Sequence, residues 1–560
     1  MNVKYIEGQE RRQQQLFCES IEELISQDNP VRILDAFVDS LDLVMLGIDK
    51  PCPASMGRPG YDPRILLKLY LYGYFNKIRS SRKLMIEATR NVELFFLINR
   101  LTPDFRTIAD FRKNNAVALH HMFLTFSQVC LELGLYKKTL AAIDGSKFRA
   151  QNSKKNAYNQ KTLREKLERI DKNIQSYLEV MDSNDAAETD QPSFTETEIQ
   201  NKLEQLKQRQ EKYQGLLQEL AETKETQILT TDPEARVMQS KDGYHCCYNV
   251  QTVTDESHLI VDYAVTNHGT DQGLLKQMAD QARQVLKVPT LDVIADRGYE
   301  SRQDIENCFL DGIIPNVVMK YDRSQRVYNL EYQKAEITET LRHSTDPQDI
   351  RTCLHAGVLP ACYEQSSLKV EIQTRQQLSC FTKNSDESVT CPMGRKLAKV
   401  RGRRGSTIYR SNEACRECLN RCTSSRQAKE VSFGPNTQYV PVLMYGSTHH
   451  PVNAIPEGID PHPYNHSLDR KNFVDQKVVV TLSADESKMK KRMSLVEHPF
   501  GTIKWYHGAH YVLCRGIKKA TAEIGMSMLV YNLRRAIKLA GFERLLEYLQ
   551  TRKGMLAVTR

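Results

Sequence analysis

Short apolar runs alternate with helical segments between residues 137 and 320, and this alternation constrains the fold more than any other feature. The run in residues 137–150 ends in Asp144 and Gly145, as a buried strand does where it reaches a sheet edge. Further strand-like runs occupy residues 244–254, 258–267, 290–300 and 313–320, with helical segments at residues 272–286 and 301–312. The order β-β-β-α-β-α-β predicts a mixed fold (α+β or α/β) in which helices pack on a mixed sheet.

The flanking segments differ in character and predict further domains. A helix is expected to start at Asp62, whose side chain can accept the first free amide hydrogens, and another is expected to start at Thr102, Pro103 and Asp104. The predicted regions are a helical domain at 1–135, the first part of a sheet domain at 136–350, an insertion at 351–480, and a helical completion of the sheet domain at 481–560.

The bulk properties predict a folded intracellular protein. A length of 560 residues indicates two or three domains, and the apolar fraction of 40% and charged fraction of 26% are ordinary for folded chains. There is no run of eighteen apolar residues and no secretion signal, so we expect a cytoplasmic location and no membrane partner. The fourteen cysteines are then expected to be reduced thiols.

Two basic segments stand out against a modest net charge of +9. Residues 395–426 hold ten Lys or Arg and two acids, and residues 488–519 hold eight Lys or Arg and one acid. Local charge of this size favours a polyanion such as DNA over a small neutral substrate. The amino-terminal helices either contact DNA through their basic turns or serve only for packing, and the sequence leaves both open.

A long helical insertion interrupts the sheet domain at about residues 158–225. Apolar residues recur there at near-heptad spacing in two runs, separated by the polar stretch 182–192. This pattern predicts an antiparallel helical hairpin. Such a hairpin either clamps DNA or a second protomer, or forms a self-contained arm.

Three acids are candidates for metal binding. Asp144 and Asp296 each close a predicted strand, and neighbouring strands would bring them within the few ångströms needed to share divalent ions. Mg²⁺ takes oxygen ligands and usually only one or two protein carboxylates, leaving positions for water and phosphate. Glu497 is the lone acid of the segment 488–519 and is a candidate third ligand. Taken singly, each acid is more often a surface or capping residue than a catalytic one.

Four cysteines cluster within the insertion at residues 391–422. Cys415 and Cys418 form a CxxC pair, Cys422 follows four residues later, and Cys391 precedes a Pro-Met-Gly turn. This spacing suits a tetrahedral structural zinc site, in which four thiolates leave no open position for catalysis. Cys380 is an alternative ligand, and reduced thiols in a basic loop are the alternative to a metal site.

Three strings around the acids, AAIDGSKFRA, VIADRGYES and MSLVEHPFGTIK, resemble the acid-bearing blocks of DDE transposases from bacterial insertion sequences. The chain is similar to the broad Tn5-like group, in the branch with an InsH-type amino-terminal domain, a helical arm and a cysteine-bearing insertion. The resemblance extends over nearly the whole chain through RPGYDPRILLKLYLYGYF, FRTIADFRKNN, ARVMQSKDGYHCCYNVQTV and VTNHGTDQG. The whole set in this order is specific, whereas one block alone would not be.

The resemblance implies roles for individual residues. Asp144, Asp296 and Glu497 would be the acids that bind Mg²⁺ or Mn²⁺ in an RNase H-like catalytic core. Lys504, seven residues after Glu497, matches the spacing of a phosphate-contacting lysine in the family, whereas Arg492 is displaced by one position from the family's arginine.

The segment that follows Glu497 carries two further features. Trp505 is the only tryptophan and is a candidate for stacking on an unpaired base, although a lone tryptophan more often belongs to a core. Pro499 and Gly501 make an uninterrupted helix over this segment doubtful.

The implied function is that of a DNA transposase, which cuts insertion-sequence ends and joins the freed 3′-hydroxyl to target DNA by metal-dependent phosphoryl transfer. Its partners would be double-stranded DNA, as terminal inverted repeats and target, and a second copy of the chain, because two ends must be joined. The alternatives are a catalytically idle, transposase-derived DNA-binding protein and a metal-dependent nuclease without strand transfer.

Overall fold

The computed structural model divides the chain into two compact units, Met1–Ser301 with Ser487–Arg560, and Arg302–Glu486. The residues described are 20–48, 60–186, 195–240, 242–318, 325–403, 405–418, 422, 423, 425, 427–445 and 476–558. The first unit contains the three candidate acids, and the second contains the cysteine cluster. No helix in the described ranges is both long enough and apolar enough to span a membrane.

Helices form the amino-terminal part of the first unit. They are α1 Val31–Asp39, α2 Pro63–Phe75, α3 Ser81–Ala88, α4 Val92–Ile98, α5 Phe105–Asn114 and α6 Ala116–Glu132. Both predicted helix starts are confirmed, since Asp62 accepts a hydrogen bond from the Arg64 amide and Asp104 accepts from Arg106 and Thr107. Almost every residue of α2 is buried, which makes this helix the centre of the bundle.

A mixed sheet follows the bundle in the first unit. The strands up to residue 295 are β1 Leu140–Arg149, β2 Ala157–Tyr158, β3 Ile228–Leu229, β4 Arg236–Ser240, β5 Gly243–Asp255, β6 Ile260–Thr266 and β7 Leu291–Ala295. Strand β1 pairs parallel with β7 and antiparallel with β5, which in turn pairs antiparallel with β4 and β6. The predicted mixed sheet is thereby confirmed, and its central strand carries Asp144.

Two long helices, α7 Gln160–Ala186 and α8 Glu196–Thr223, occupy the segment with the heptad pattern. Leu163 near the start of α7 packs with Leu220 near the end of α8, and Gln210 donates a hydrogen bond to Asp171 at 2.6 Å. These contacts make the pair antiparallel. Strands β2 and β3 pair with each other at the base of the two helices.

The next helix, α9 Leu275–Leu286, covers one face of the sheet. Its buried residues recur at helical spacing and contact strands β1, β5, β6 and β7. This packing fixes the central strands that carry the acids. The buried residues of α9 are Leu275, Met278, Ala279, Ala282 and Leu286.

The second unit is built on an eight-stranded sheet in the order β14-β13-β12-β11-β10-β16-β9, with β15 also paired with β10. Its elements are α10 Arg302–Leu310, β8 Ile313–Val317, β9 Gln325–Glu331, α11 Glu339–Arg342, α12 Pro347–His355, β10 Leu368–Lys383, β11 Val389–Thr390, β12 Lys396–Arg403, β13 Ser406–Arg410, α13 Asn412–Arg416, β14 Val431–Phe433, β15 Tyr439–Tyr445 and β16 Gln476–Ser483. Strand β9 therefore pairs with β16, which lies far along the chain. The domain boundary that the sequence places at residue 350 stays a prediction.

Helices end the chain in the first unit. They are α14 Glu486–Gly501, α15 Ile517–Ala540 and α16 Phe542–Val558, and a π-helical turn, Thr502–Tyr506, follows α14 directly. The α-helix thus passes through Pro499 but gives way to the wider π-helical turn after Gly501. The interruption of the helix that Pro499 and Gly501 led us to expect is therefore found only after Gly501. A widened turn is a common way to accommodate a proline and to redirect the next side chains.

Candidate active site

Asp144 and Asp296 lie side by side at the level where β7 ends. The parallel pairing of β1 with β7 stops at Ile143 opposite Ala295, so the next residue on each strand is one of the two acids. The predicted strand end at Asp144 is wrong, because residues 144–149 continue in antiparallel pairing with β5. Asp144 is therefore a mid-strand residue that is uncovered where its parallel neighbour stops.

The surroundings of Asp144 disfavour its charged form. Burial and then the negative charge of Asp296 raise the pKa of Asp144 to about 6, and Arg492 acts in the opposite direction. The Arg492 guanidinium lies 3.9 Å from a carboxylate oxygen of Asp144, and both side chains are 21% exposed. Two neighbouring carboxylates beside one cation leave an excess of negative charge that suits a divalent metal ion.

Glu497 lies on α14, which packs against the strands that carry the aspartates. Leu495 and Val496 join a buried cluster with Leu140 of β1 and Ile294 of β7. Glu497 is exposed, and it lines the same cleft of about 760 Å³ as Asp144. Asp296 is not among the residues that line this cleft, and in the described ranges no three His, Cys, Asp or Glu side chains are arranged as a metal site.

Lys504 reaches across the cleft to the strand that carries Asp144. Its ammonium donates hydrogen bonds to the Ser146 hydroxyl at 2.5 Å and to the Lys147 carbonyl at 2.8 Å. The π-helical turn therefore directs this lysine toward the residues just after the acid. Trp505, the next residue, is 76% exposed and lines the rim of the same cleft.

Sequence reasoning gave no role to Asp271, which organises the polar groups beneath the acids. One oxygen of Asp271 accepts hydrogen bonds of 2.7 Å from Asn249 and from Gln251, and it lies 3.5 Å from the Lys147 ammonium. The Tyr299 hydroxyl donates a hydrogen bond to the side-chain amide oxygen of Gln251. The string VTNHGTDQG held the only signal, because it ties Asp271 to the family resemblance without indicating a function.

Gly145 leaves the space that this network occupies. A Cβ atom at this position would lie 2.4 Å from the Gln251 amide nitrogen and 2.5 Å from the Asp271 carboxylate oxygen. Gly145→Ala is therefore expected to displace both side chains and to lower the free energy of unfolding by about 1–3 kcal/mol, as overpacking of a tight site does. Urea denaturation measures this change.

The matched control for that substitution is Gly215→Ala in α8, where an added Cβ meets nothing within 4 Å. In a helix interior this change is expected to stabilise by up to about 1 kcal/mol. If Gly145→Ala is as harmless as Gly215→Ala, the close approach of Gln251 and Asp271 to β1 is not required.

The four predicted cysteines lie around one small cavity of the second unit. Cys391, Cys415, Cys418 and Cys422 line a space of about 20 Å³. Burial raises the pKa of Cys422 to about 11, and the three other cysteines add to this rise. Cys380 is not among the lining residues. As at the acids, the described residues here include no three His, Cys, Asp or Glu side chains that are arranged to hold a metal ion.

Adjacent carboxylates beside lysines, at the level where one strand of a mixed sheet ends, are an arrangement used by metal-dependent phosphoryl-transfer enzymes. Two family comparisons agree with this class. Residues 19–114 match a family described as a transposase domain (DUF772), and residues 136–533 match a family described as a transposase DDE domain. The second match covers more than half of the chain, which therefore belongs to the DDE transposase family. No curated protein and no solved structure matches the chain.

Family membership fixes the broad biochemistry. The DDE domain has an RNase H-like fold, in agreement with the mixed sheet, and its members are polynucleotidyl transferases or nucleases that act on DNA. They generally use Mg²⁺ or Mn²⁺. The chain is accordingly a transposase-family enzyme with DNA as its partner.

Proposed function

We propose that the chain cuts the ends of an insertion sequence and joins the freed 3′ ends to target DNA, with Asp144, Asp296 and Glu497 as its catalytic acids. The observation that carries the proposal is the parallel register of β1 and β7, which makes the two aspartates neighbours. The cleft that joins Asp144 to Glu497 supports the third role.

A divalent metal ion fits this set of residues. Burial, and after it the negative charge of Asp296, raises the pKa of Asp144 to about 6, and a cation between the two aspartates would remove their mutual repulsion. Held by Asp144, Asp296 and Glu497, Mg²⁺ or Mn²⁺ would activate water or a 3′-hydroxyl and stabilise the leaving oxygen. Asp271 would keep the underlying Asn249 and Gln251 side chains in fixed positions.

Basic side chains supply the positive charge that a transferring phosphate requires. Lys504 and Lys147 lie beside the acids in the same cleft, and we assign Lys504 as a phosphate contact. Arg492 neutralises part of the charge on Asp144 in the absence of DNA. We infer that it turns to a phosphate oxygen when metal and DNA occupy the cleft, because a metal ion would then replace its charge.

The macromolecular partners follow from the reaction. Terminal inverted repeats and target DNA are the double-stranded substrates, and the joining of two ends requires at least two copies of the chain in the active complex. The amino-terminal bundle is the proposed end-binding region, and the hairpin of α7 and α8 is a candidate clamp. We expect this cleavage and joining of DNA to take place in the cytoplasm, on the bacterial nucleoid.

The decisive experiment uses the DNA that flanks the gene as substrate, with Mg²⁺ or Mn²⁺, and compares the wild-type chain with Glu497→Gln. We expect metal-dependent cuts at the element ends that the variant fails to make, because the amide removes the negative charge of the third ligand. Glu486→Gln at the start of the same helix is the matched control and should cleave normally.

The alternative functions give different results in that assay. Specific DNA binding without cleavage by either protein would indicate a catalytically idle regulator. Cleavage of the ends without products joined to a target plasmid would indicate a nuclease. Cleavage by Glu497→Gln at the wild-type rate would remove Glu497 from the catalytic set.

We also propose that the four cysteines hold a structural zinc ion. Beyond their shared cavity, the support is the turn at Cys391, whose sulfur accepts hydrogen bonds from the backbone amides of Arg395, at 3.4 Å, and Met393. Amide donors of this kind stabilise a thiolate and so favour a metal ligand. With four sulfur ligands the ion has no open position, and its role would be to hold the loop structure.

Metal analysis tests this assignment directly. The chain purified without chelators is expected to contain about one zinc ion per molecule, and Cys415→Ser with Cys418→Ser should lose it. Cys362→Ser, in the same unit but outside the cavity, serves as the control. Loss of zinc in Cys380→Ser would instead favour the alternative ligand, and a zinc-free wild-type chain would refute the site.

A further inference from the structure

The turn that joins β5 to β6, residues 255–259, contacts one side of α14 at three points. Glu256 pairs with a lysine of the helix at 2.9 Å. His258 forms a hydrogen bond with the helix backbone, and its ring centre lies 5.4 Å from that of a histidine of the same helix. The contacted positions are three and four residues apart, so they lie on one face of α14. In chain order they are Lys491, Ser494 and His498.

A tyrosine of α15 fastens the β5–β6 turn to α14. The Tyr531 hydroxyl donates a hydrogen bond of 2.8 Å to the His258 carbonyl, and it lies 2.9 Å from Nδ1 of His498. Because the hydroxyl has a single hydrogen, which the carbonyl receives, Nδ1 of His498 carries its own hydrogen and donates it to the tyrosine oxygen. One hydroxyl therefore joins the turn to the residue that directly follows Glu497.

A different side of α14 packs on the sheet. Met489 and Val496 lie there, in a cluster with Leu140 of β1 and Ile294 of β7. The helix is thus held from two directions, by the strands and by the β5–β6 turn, and together these contacts fix its rotation about its own axis. Glu497 stands between a residue of one set and a residue of the other, so its direction into the cleft depends on both.

Strand β5 connects these contacts to the first aspartate. Thr252 of β5 lies opposite Asp144 in the antiparallel register, three residues before the turn begins. The far end of the turn is anchored on α15, where the Asn532 side chain accepts a hydrogen bond of 2.9 Å from the Ile260 amide and donates one of 2.7 Å to its carbonyl. The strand that pairs with Asp144 therefore also carries the turn that contacts the helix of the third acid.

His258 lowers the stability of the fold at its own position. Its φ of 60° lies in the left-handed region, which costs free energy for any residue with a Cβ atom. Its Nδ1 atom is buried and has no hydrogen-bond partner among the described residues, which adds to the cost. A glycine here would relieve the backbone and remove the unpaired atom. A strained residue next to a candidate active site indicates a role in that site.

We propose that the β5–β6 turn, through His258 and Tyr531, positions Glu497 for metal binding beside Asp144. His258 is a positioning residue in this scheme and touches neither DNA nor metal. The inference rests on the proposed function, because it takes Glu497 as a metal ligand. Without the His258 side chain, the strand contacts alone would hold the rotation of α14, and Glu497 would point less often into the cleft.

Binding of Mn²⁺ in the absence of DNA, followed by the EPR signal of the free ion, tests this role without any cleavage. His258→Gly should bind Mn²⁺ about tenfold more weakly than wild type, as loss of a group that orients a metal ligand does. It should unfold at nearly the same urea concentration, because relief of the backbone offsets the lost ring contacts. His258→Asn should recover part of the affinity, since asparagine tolerates the left-handed conformation and keeps a side-chain donor.

A double variant shows whether His258 acts through Glu497. Glu497→Gln should itself weaken Mn²⁺ binding, and His258→Gly added to it should weaken binding little further, because the ligand that the turn positions is already lost. Tyr531→Phe, which removes the shared hydroxyl, should weaken binding in the same direction as His258→Gly. Lys287→Gly, at another left-handed residue at the end of α9, is the matched control and should bind Mn²⁺ as wild type does.

The outcomes separate the positioning role from the proposed function. Wild-type Mn²⁺ affinity in His258→Gly would overturn the positioning role, as would effects of His258→Gly and Glu497→Gln that simply add. A large loss of urea stability in His258→Gly with no recovery in His258→Asn would show a purely structural residue. Unchanged Mn²⁺ binding in Glu497→Gln would overturn both the ligand and its positioning. A chain that meets every metal-binding expectation but never cleaves element ends supports the positioning role and contradicts the proposed function alone.

Discussion

Asp144→Asn is expected to abolish DNA cleavage while making the metal-free chain more stable. Removal of one of two adjacent metal ligands should lower the cleavage rate roughly a thousandfold or more, because metal coordination contributes several kcal/mol to stabilising the transition state. The gain in stability follows from the environment of the carboxylate. Burial and Asp296 raise its pKa from 3.8 to about 6, so the ionised form is disfavoured in the folded chain.

The size and pH dependence of that gain can be worked out. A carboxyl with a folded-state pKa of about 6 destabilises the folded state by up to about 3 kcal/mol when ionised at pH 8. This destabilisation disappears as the pH falls below the unfolded-state pKa of 3.8, grows as the pH rises from there to about 6, and stays constant at higher pH. Asp144→Asn should therefore unfold at higher urea concentration than wild type at pH 8 and at about the same concentration at pH 4.

Asp242→Asn is the matched control for both measurements. Asp242 lines the same cleft, but its side chain is 72% exposed and pairs with Arg149 at 3.7 Å. Its loss should change stability by no more than about 0.5 kcal/mol and leave cleavage nearly intact. Cleavage by Asp144→Asn at the wild-type rate would remove Asp144 from the catalytic set. A stability gain equal at pH 4 and pH 8 would show that the raised pKa is not its cause.

The neighbourhood of the two aspartates could be predicted from local sequence patterns. In the sequence, one short apolar run ends in Asp144 and another ends in Asp296. Parallel pairing of the two corresponding strands places these acids next to each other. The extension of β1 to Arg149 could not be predicted, since it depends on antiparallel pairing with a strand about a hundred residues away. The alternation of apolar and polar residues along one strand is too short to indicate which residues of a distant strand lie opposite it.

Other features of the site depend on still longer separations in the chain. Gln251 comes opposite Gly145 only through the register of β1 with β5, and Asp271 reaches both through a turn after β6. The π-helical turn that carries Lys504 has no sequence signature beyond Pro499 and Gly501. The adjacent placement of Asp144 and Asp296 could therefore be predicted, whereas the groups that surround them could not.

Glu523→Ala is expected to destabilise the first unit by about 3–5 kcal/mol, because it leaves a buried arginine without its counter-charge. One oxygen of Glu523 lies 2.7 Å from the guanidinium of Arg79, and the two side chains are 2% and 9% exposed. The other oxygen accepts hydrogen bonds of 2.8 and 2.9 Å from the amides of Leu513 and Cys514. The substitution therefore removes an acceptor from one buried guanidinium and from two partly buried amides.

The effect should be local as well as global. Arg79 and Glu523 together tie the segment after the π-helical turn to the amino-terminal bundle and to α15. In Glu523→Ala, the amides of Leu513 and Cys514 are expected to exchange hydrogen much faster than in wild type. Hydrogen-exchange mass spectrometry of peptides spanning this segment measures that change, and urea denaturation measures the loss of stability.

Two comparison variants decide whether the buried charge is the cause. Glu87→Ala breaks a surface pair with Arg90, whose side chain is 67% exposed, and should leave the unfolding midpoint nearly unchanged, because ion pairs in contact with solvent contribute little. Arg79→Met combined with Glu523→Met removes both charges and should recover part of the stability lost in Glu523→Ala, since no unpaired charge then remains buried. A double variant that is less stable than Glu523→Ala would mean that Arg79 stabilises the fold mainly through its hydrogen bonds to the Gly508 and Tyr511 carbonyls and not through its charge.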